Sequence, residues 1–181
     1  MIKIPFFSLI LSVIPFLSKK NDFSTFKTSL MKIPKELVNG FIIVVGIGIY
    51  FLIMELLGLA DIYLLRLFNV LFIFYGTHKT LKENFAQGNS TLVSNSVSAL
   101  FTALVGVVLS IIALIIYSYA RGGEAYIASL SKTFLFGGQP SVMTYSISLL
   151  FEGIVSAVIV TFMLMLYWDT RYTSDKHGAE S

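Results

Sequence analysis

The chain has 181 residues, of which 56% are apolar and only 13% charged, with a net charge of +3. A soluble domain carries about 25% charged residues, so an ordinary soluble surface is excluded. The lack of cysteine excludes disulfides, thiolate metal sites and a cysteine nucleophile.

The mean hydropathy is +0.82, and the apolar residues fall into blocks near the bilayer-crossing length of about 17–25 residues. The expected fold class is therefore all-α: a polytopic membrane protein with four transmembrane helices in two antiparallel hairpins, plus a short apolar N-terminal segment. Basic residues border the apolar blocks and form no stripe, so they set membrane orientation and offer no nucleic-acid surface.

Residues 1–36 read as a leader. Its apolar stretch, 4–17, is broken by Pro5 and Pro15 and followed by Lys19 and Lys20. That length suits a signal-peptide core better than a span, yet it lacks a small-x-small cleavage site. Three readings stay open: an interfacial segment, a poorly structured leader, or a stretch outside the functional chain, which would then start at Met31. Between 21 and 39, lysines alternate with Phe23, Phe26, Leu30 and Leu37 in the manner of an amphipathic surface segment. Pro34 either separates it from the first span or opens that span's first turn.

Span one is expected at 37–60 and span two at 62–77. The turn Gly58-Leu59-Ala60-Asp61 is so short that the two must be antiparallel neighbours. A polar loop, 78–90, follows with Lys79, Lys82, Glu83 and the turn-like Gly88-Asn89. Span three covers 93–120. The next connection, 121–141, has glycines at both ends and a middle, 124–136, whose apolar spacing suggests a short interfacial helix. Span four covers 142–168, and the polar tail 169–181 is expected to be mobile. His78 and His177 fall outside the apolar blocks and read as solvated loop residues, so no metal site is expected.

Counting Lys and Arg beside the spans sets Lys19, Lys20, Lys27, Lys32, Lys35, Lys79, Lys82, Arg171 and Lys176 against Arg121 and Lys132, with Arg66 just inside the bilayer. The positive-inside rule then places both termini in the cytoplasm. Tyr63, Tyr75, Tyr117, Tyr119, Tyr167 and Trp168 suit interfacial anchoring.

Three ionisable residues lie within the spans. Glu55 and Arg66 sit on opposite arms of the first hairpin at similar depth, where an ion pair or hydrogen-bonded bridge is expected, as a clamp or as part of a site. Glu152 lies near the middle of span four, where a charge costs at least about 2.5–3.5 kcal/mol. Ser148, Glu152 and Ser156 share one face, with Asn69 and Arg66 as the obvious partners. The residues leave two readings open: a polar bond between helices, or a proton- or substrate-handling site.

Ser94, Ser98, Thr102, Gly106 and Ser110 are small residues four apart, a stripe that lets another helix approach closely. Gly153 and Ala157 in span four read likewise, as do Gly46 and Gly48. The latter pair lies inside a span without βαβ context and is no dinucleotide motif. No catalytic set and no cofactor motif appears, so no enzymatic activity is expected.

With its tight first hairpin, basic second loop and longer third connection, residues 32–168 resemble a family of four-span bacterial membrane proteins common in Bacteroidetes. The segments that carry the resemblance are Leu67-Phe68-Asn69-Val70, Phe151-Glu152-Gly153 and Tyr167-Trp168. The resemblance implies the fold and an inner-membrane location, but no activity or cofactor. The functional expectation is a non-enzymatic helper or subunit that packs against itself or a larger membrane partner. The alternative is a small proton-coupled transporter in which Glu152 titrates. An intramembrane enzyme acting on lipid is a third, weaker reading.

Overall fold

The computed structural model describes residues 34–89, 91–130 and 140–178, with the side chains of 63 and 171–178 left aside. The N-terminal leader through residue 33 and the central part of the third connection lie outside these residues. Every described element is a helix: α1 (Lys35–Leu56), α2 (Tyr63–Arg66), α3 (Asn69–Ala86), α4 (Leu92–Arg121), α5 (Glu124–Leu130) and α6 (Val142–Gly178). They belong to one compact unit, Lys35–Ser181.

Among the described residues, three stretches are long and apolar enough to cross a membrane: Lys35–Leu56, Leu92–Arg121 and Val142–Thr170. Their outward faces carry large apolar side chains, among them Phe41, Val45 and Ile49 on α1 and Phe151, Val155 and Phe162 on α6. Continuous apolar exposure on this scale suits lipid and not water.

α1 follows Pro34, whose ring cannot continue a helix N-terminally, and carries Glu36 in its first turn. It ends at Gly58, where φ is +70°. There Leu59 N donates to Met54 O at 2.8 Å and Gly58 N to Glu55 O at 3.1 Å, closing the last carbonyls in a Schellman motif. α3 ends the same way at Gly88, φ +79°, with Asn89 N donating to Asn84 O.

The second apolar block departs from the expected single span at 62–77. Its start is wound tightly, with i→i+3 bonds from Leu67 N to Leu64 O, Phe68 N to Leu65 O, Val70 N to Leu67 O and Leu71 N to Phe68 O. Such 3₁₀ winding separates α2 from α3. α3 then continues through the segment expected to be a polar loop. The reason is its buried face: Ile73, Gly76, Thr77, Thr80, Leu81 and Asn84 recur every three or four residues. That face is small and polar, so a hydropathy window passes over it. α6 also outruns its expected end at Trp168, continuing as helix through Gly178, where a polar tail was expected. α5 is the described part of the expected interfacial helix at 124–136.

Contacts set the helix directions. On α1 and α3 the pairs run in opposite senses: Asn39 meets Thr80, Gly76 faces Ile43 and Gly46 faces Phe72. α1 and α4 run in the same sense, since Glu36 meets Ser98, Gly106 faces Ile43 and Phe51 meets Tyr117. α4 packs on α1, α3 and α6 and so forms the centre of the bundle. The core closes on Ile43, which is fully buried. A Cβ added to Gly76 would lie 2.4 Å from its Cγ1, and one on Gly106 would lie 2.8 Å from its Cβ. Two helices reach α1 here only because glycine leaves the space.

Candidate functional site

Polar side chains gather at three levels. At the Lys35 end, α1, α3 and α4 meet around Asn39, Thr77, Thr80 and Thr102, all 0–1% exposed. Asn39 Nδ2 donates to Thr80 Oγ1 at 3.0 Å and to Glu83 Oε2 at 3.2 Å. Thr102 Oγ1 donates to Ser98 O at 2.9 Å. The Thr80 hydroxyl likewise reaches a carbonyl of its own helix, Gly76 O at 3.3 Å, and the two threonine hydroxyls meet at 3.0 Å, where either can donate. Ser98 Oγ donates in turn to Glu36 Oε1 at 2.6 Å. The chain of bonds thus joins two carboxylates, Glu83 and Glu36, through the point where three helix backbones converge.

At the Gly58 end, Glu55 is the acceptor at the centre of a second cluster. Arg121 Nη2 donates to its Oε1 at 2.8 Å, Tyr126 Oη to the same oxygen at 3.0 Å, and Tyr117 Oη to Oε2. The Arg121 guanidinium lies 5.9 Å from the Tyr117 ring and 5.8 Å from the Tyr126 ring, a cation–π arrangement. Burial, and then the Glu55 carboxylate beside it, push the Tyr126 phenol above its ordinary range. The expected Glu55–Arg66 bridge is absent, because Arg121 and the two tyrosines take the carboxylate instead. Tyr117 therefore holds a carboxylate rather than acting simply as an interfacial anchor.

Arg66 turns elsewhere. Its Nη2 donates to Leu130 O at 2.9 Å, tying α2 to the end of α5, and the guanidinium sits 5.3 Å from the Tyr145 ring. Two turns along the same face of α6 lies Glu152, half-buried and within electrostatic reach of Arg66. No described side chain hydrogen-bonds or ion-pairs with the Glu152 carboxylate. Its face is the serine stripe: Ser148 Oγ donates to Thr144 O and Ser156 Oγ to Glu152 O, so neither hydroxyl gives its hydrogen to the carboxylate. Asn69, at the first position of α3, has a buried Oδ1 without a partner. Arg66 thus reaches Glu152 only through its field, and no bond joins Asn69 to either.

The stripe on α4 divides. Ser94 is exposed and meets Asn89 across the α3–α4 turn. Ser98 reaches Glu36 and Thr102 reaches Thr80. Gly106 faces Ile43, whereas Ser110 has a buried hydroxyl without a partner. On α6, a Cβ on Gly153 would meet Val107 Cγ1 at 2.5 Å, and Ala157 is fully buried.

His78 is no solvated loop residue. It lies in α3 with its ring 6.2 Å from Phe74 and 5.6 Å from Trp168, and Trp168 stacks on Phe85 at 4.8 Å. The side chain of His177 lies outside the described residues.

Sequence reading did not single out Asn39, Thr80 or Tyr126. The signal for Thr80 was present as the 3–4 spacing of polar and small residues from Ile73 to Asn84, whereas nothing local marked Asn39. Nothing local signals that Tyr126 would reach a carboxylate 71 residues away. Among the described residues, no group of His, Cys, Asp or Glu side chains is arranged to hold a metal ion. No protein-family model, curated protein or solved structure matches this chain, so the residues and their geometry carry the functional argument.

Proposed function

We propose that the protein is a non-enzymatic subunit of a membrane assembly, embedded by four passes with α2 and α3 together forming the second. The observation that carries this reading is Glu152. A carboxyl halfway along a span, on a serine face that the chain's own helices only partly cover, calls for a partner group. A neighbouring helix, from a second copy or a larger membrane protein, supplies one by hydrogen bonding across the interface. The basic residues bordering the spans favour an inner-membrane orientation with both termini in the cytoplasm.

The test is to tag the C-terminus, extract the protein into native nanodiscs and measure the particle's mass and composition. A stoichiometric partner or homo-oligomer that is lost on Glu152→Leu is the expected result. A monomeric, partnerless particle sinks the reading.

One observation favours proton-coupled transport instead. The tight winding through Leu67 and Phe68 interrupts a helix beside Arg66 and Asn69, and interrupted helices at membrane depth border binding sites. In that case Glu152→Gln abolishes proton-coupled flux in reconstituted vesicles while leaving particle mass unchanged. Flux that is unaltered by the substitution removes Glu152 from any proton role.

A further inference from the structure

The α1–α3–α4 junction contains polar atoms that its bonds leave over. Asn39 uses both amide hydrogens, but its Oδ1 is buried without a partner, and so is the Thr77 hydroxyl. The side chains are 1% and 0% exposed. Both flank the Asn39–Thr80 bond. Thr77 lies one turn before Thr80 on the same face of α3, and the Asn39 backbone carbonyl comes within 3.0 Å of a Cβ built on Gly76, the residue before Thr77. Asn84 Nδ2, one turn beyond Thr80, and Asn95 Oδ1, on α4, are unpartnered as well. Buried polar groups in native proteins find a partner in protein or in ordered water, because leaving them unmade is costly.

The two atoms beside the Asn39–Thr80 bond suit water: Asn39 Oδ1 only accepts, and the Thr77 hydroxyl has a hydrogen to give. Asn84 lies seven residues, about 10 Å, further along α3 and belongs to no shared site with them. Water both donates and accepts, and a buried water makes about two to four such bonds.

We infer that the junction of α1, α3 and α4 is an internal water site. One water donates to Asn39 Oδ1 and accepts the Thr77 hydroxyl hydrogen. The water holds Asn39 in the orientation that sends both its hydrogens to Thr80 and Glu83. It therefore belongs to the bond chain that joins Glu83 to Glu36.

Thr77→Val tests this in the full chain in nanodiscs, because valine keeps the shape and removes the hydroxyl. If water bridges Thr77, the unfolding midpoint falls by about 2–4 °C. If the hydroxyl is truly alone, removing a buried unpaired group leaves the midpoint unchanged or raises it, and the inference is overturned. Repeating the melt of the unmodified protein in sodium and in choline buffer separates water from a cation. Equal midpoints support water, and a sodium-dependent rise overturns it. Should Thr77→Val not fold, water-edited solid-state NMR of the unmodified protein decides. Rapid transfer of water magnetisation to the Asn39 and Thr77 side chains supports the site, and its absence overturns it.

Discussion

Glu55 and Arg121, 66 residues apart, form an ion pair at 2.8 Å, with Tyr117 and Tyr126 completing the carboxylate's set of donors. This cluster fastens the end of α4 and the start of α5 to the end of α1. Because the Arg121 side chain is 54% exposed and that of Glu55 only 17%, the two partners do not contribute equally. Exposed guanidinium groups are screened by water, whereas the loss of the carboxylate removes the acceptor that both phenols share.

Substitution of Arg121 by alanine is therefore expected to cost less than about 1 kcal/mol. Glu55→Ala is expected to cost about 1–3 kcal/mol, because it removes the largely buried charged acceptor on which Tyr117, Tyr126 and Arg121 converge. Unfolding of both variants in mixed micelles checks the order. An Arg121→Ala loss that equals or exceeds the Glu55→Ala loss would show that the ion pair, and not the tyrosine bonds, holds the cluster.

The raised Tyr126 pKa gives this cluster a pH dependence of definite sign. In the unfolded chain the phenol ionises near its ordinary value of 10.0, while in the folded chain it keeps its proton to higher pH. The folded state then binds more protons than the unfolded state above that value, so stability falls as pH rises. Below it, the Tyr126 contribution is fully present. Stability measured across neutral to alkaline pH is expected to be flat and then to decline, with the decline smaller in Tyr126→Phe. An identical alkaline profile for the two proteins would remove Tyr126 as the cause.

At the opposite end, Asn39→Ala breaks the bonds to Thr80 and to Glu83 together. The expected cost is about 1–3 kcal/mol, since one of the two acceptors is a carboxylate. Ser94→Ala, on the same small-residue stripe as Thr102 but exposed, is expected to fall within about 0.5 kcal/mol of the unmodified protein. A Ser94→Ala loss comparable to that of Asn39→Ala would mean that the exposed end of the stripe is covered in the membrane.

Glycine positions on α1 and α3 provide a contrast. Gly76→Ala places a Cβ 2.4 Å from Ile43 Cγ1 and 3.0 Å from the Asn39 carbonyl, and the second neighbour is backbone that cannot swing aside. A loss of about 1–3 kcal/mol is expected from overpacking. Gly48→Ala meets nothing within 4 Å and should be neutral, or stabilising by up to about 1 kcal/mol through helix propensity. If Gly48→Ala instead destabilises the protein or breaks an oligomer, its open face is occupied by another helix.

Much of the architecture was legible from local features. Pro34 and Gly58 bound the first apolar block, and α4 and α6 follow directly from length and hydropathy. α3 was misplaced because, beside Ile73 and Leu81, its buried face includes Gly76, Thr77, Thr80 and Asn84, which add little hydropathy although none contacts solvent appreciably. Hydropathy averages side chains over a window and does not register which face they occupy. Of the residues singled out for chemistry, Arg66 acts on Glu152 only at electrostatic range, with no bond between them, and Glu55 pairs with Arg121 instead of Arg66.

Composition and the apolar blocks by themselves determine that this chain is helical and built of membrane-crossing stretches, because backbone groups in hydrocarbon must be satisfied within each segment. Four spans were expected from them, and among the described residues three helices are long and apolar enough. Tertiary structure alone decided which acid meets which base, where α3 begins, and that Asn39, Thr80 and Thr102 form one chain of bonds. These outcomes depend on contacts across tens of residues, such as Glu55 with Arg121 and Asn39 with Thr80. Such contacts arise only once glycines at 76 and 106 bring two further helix backbones against Ile43.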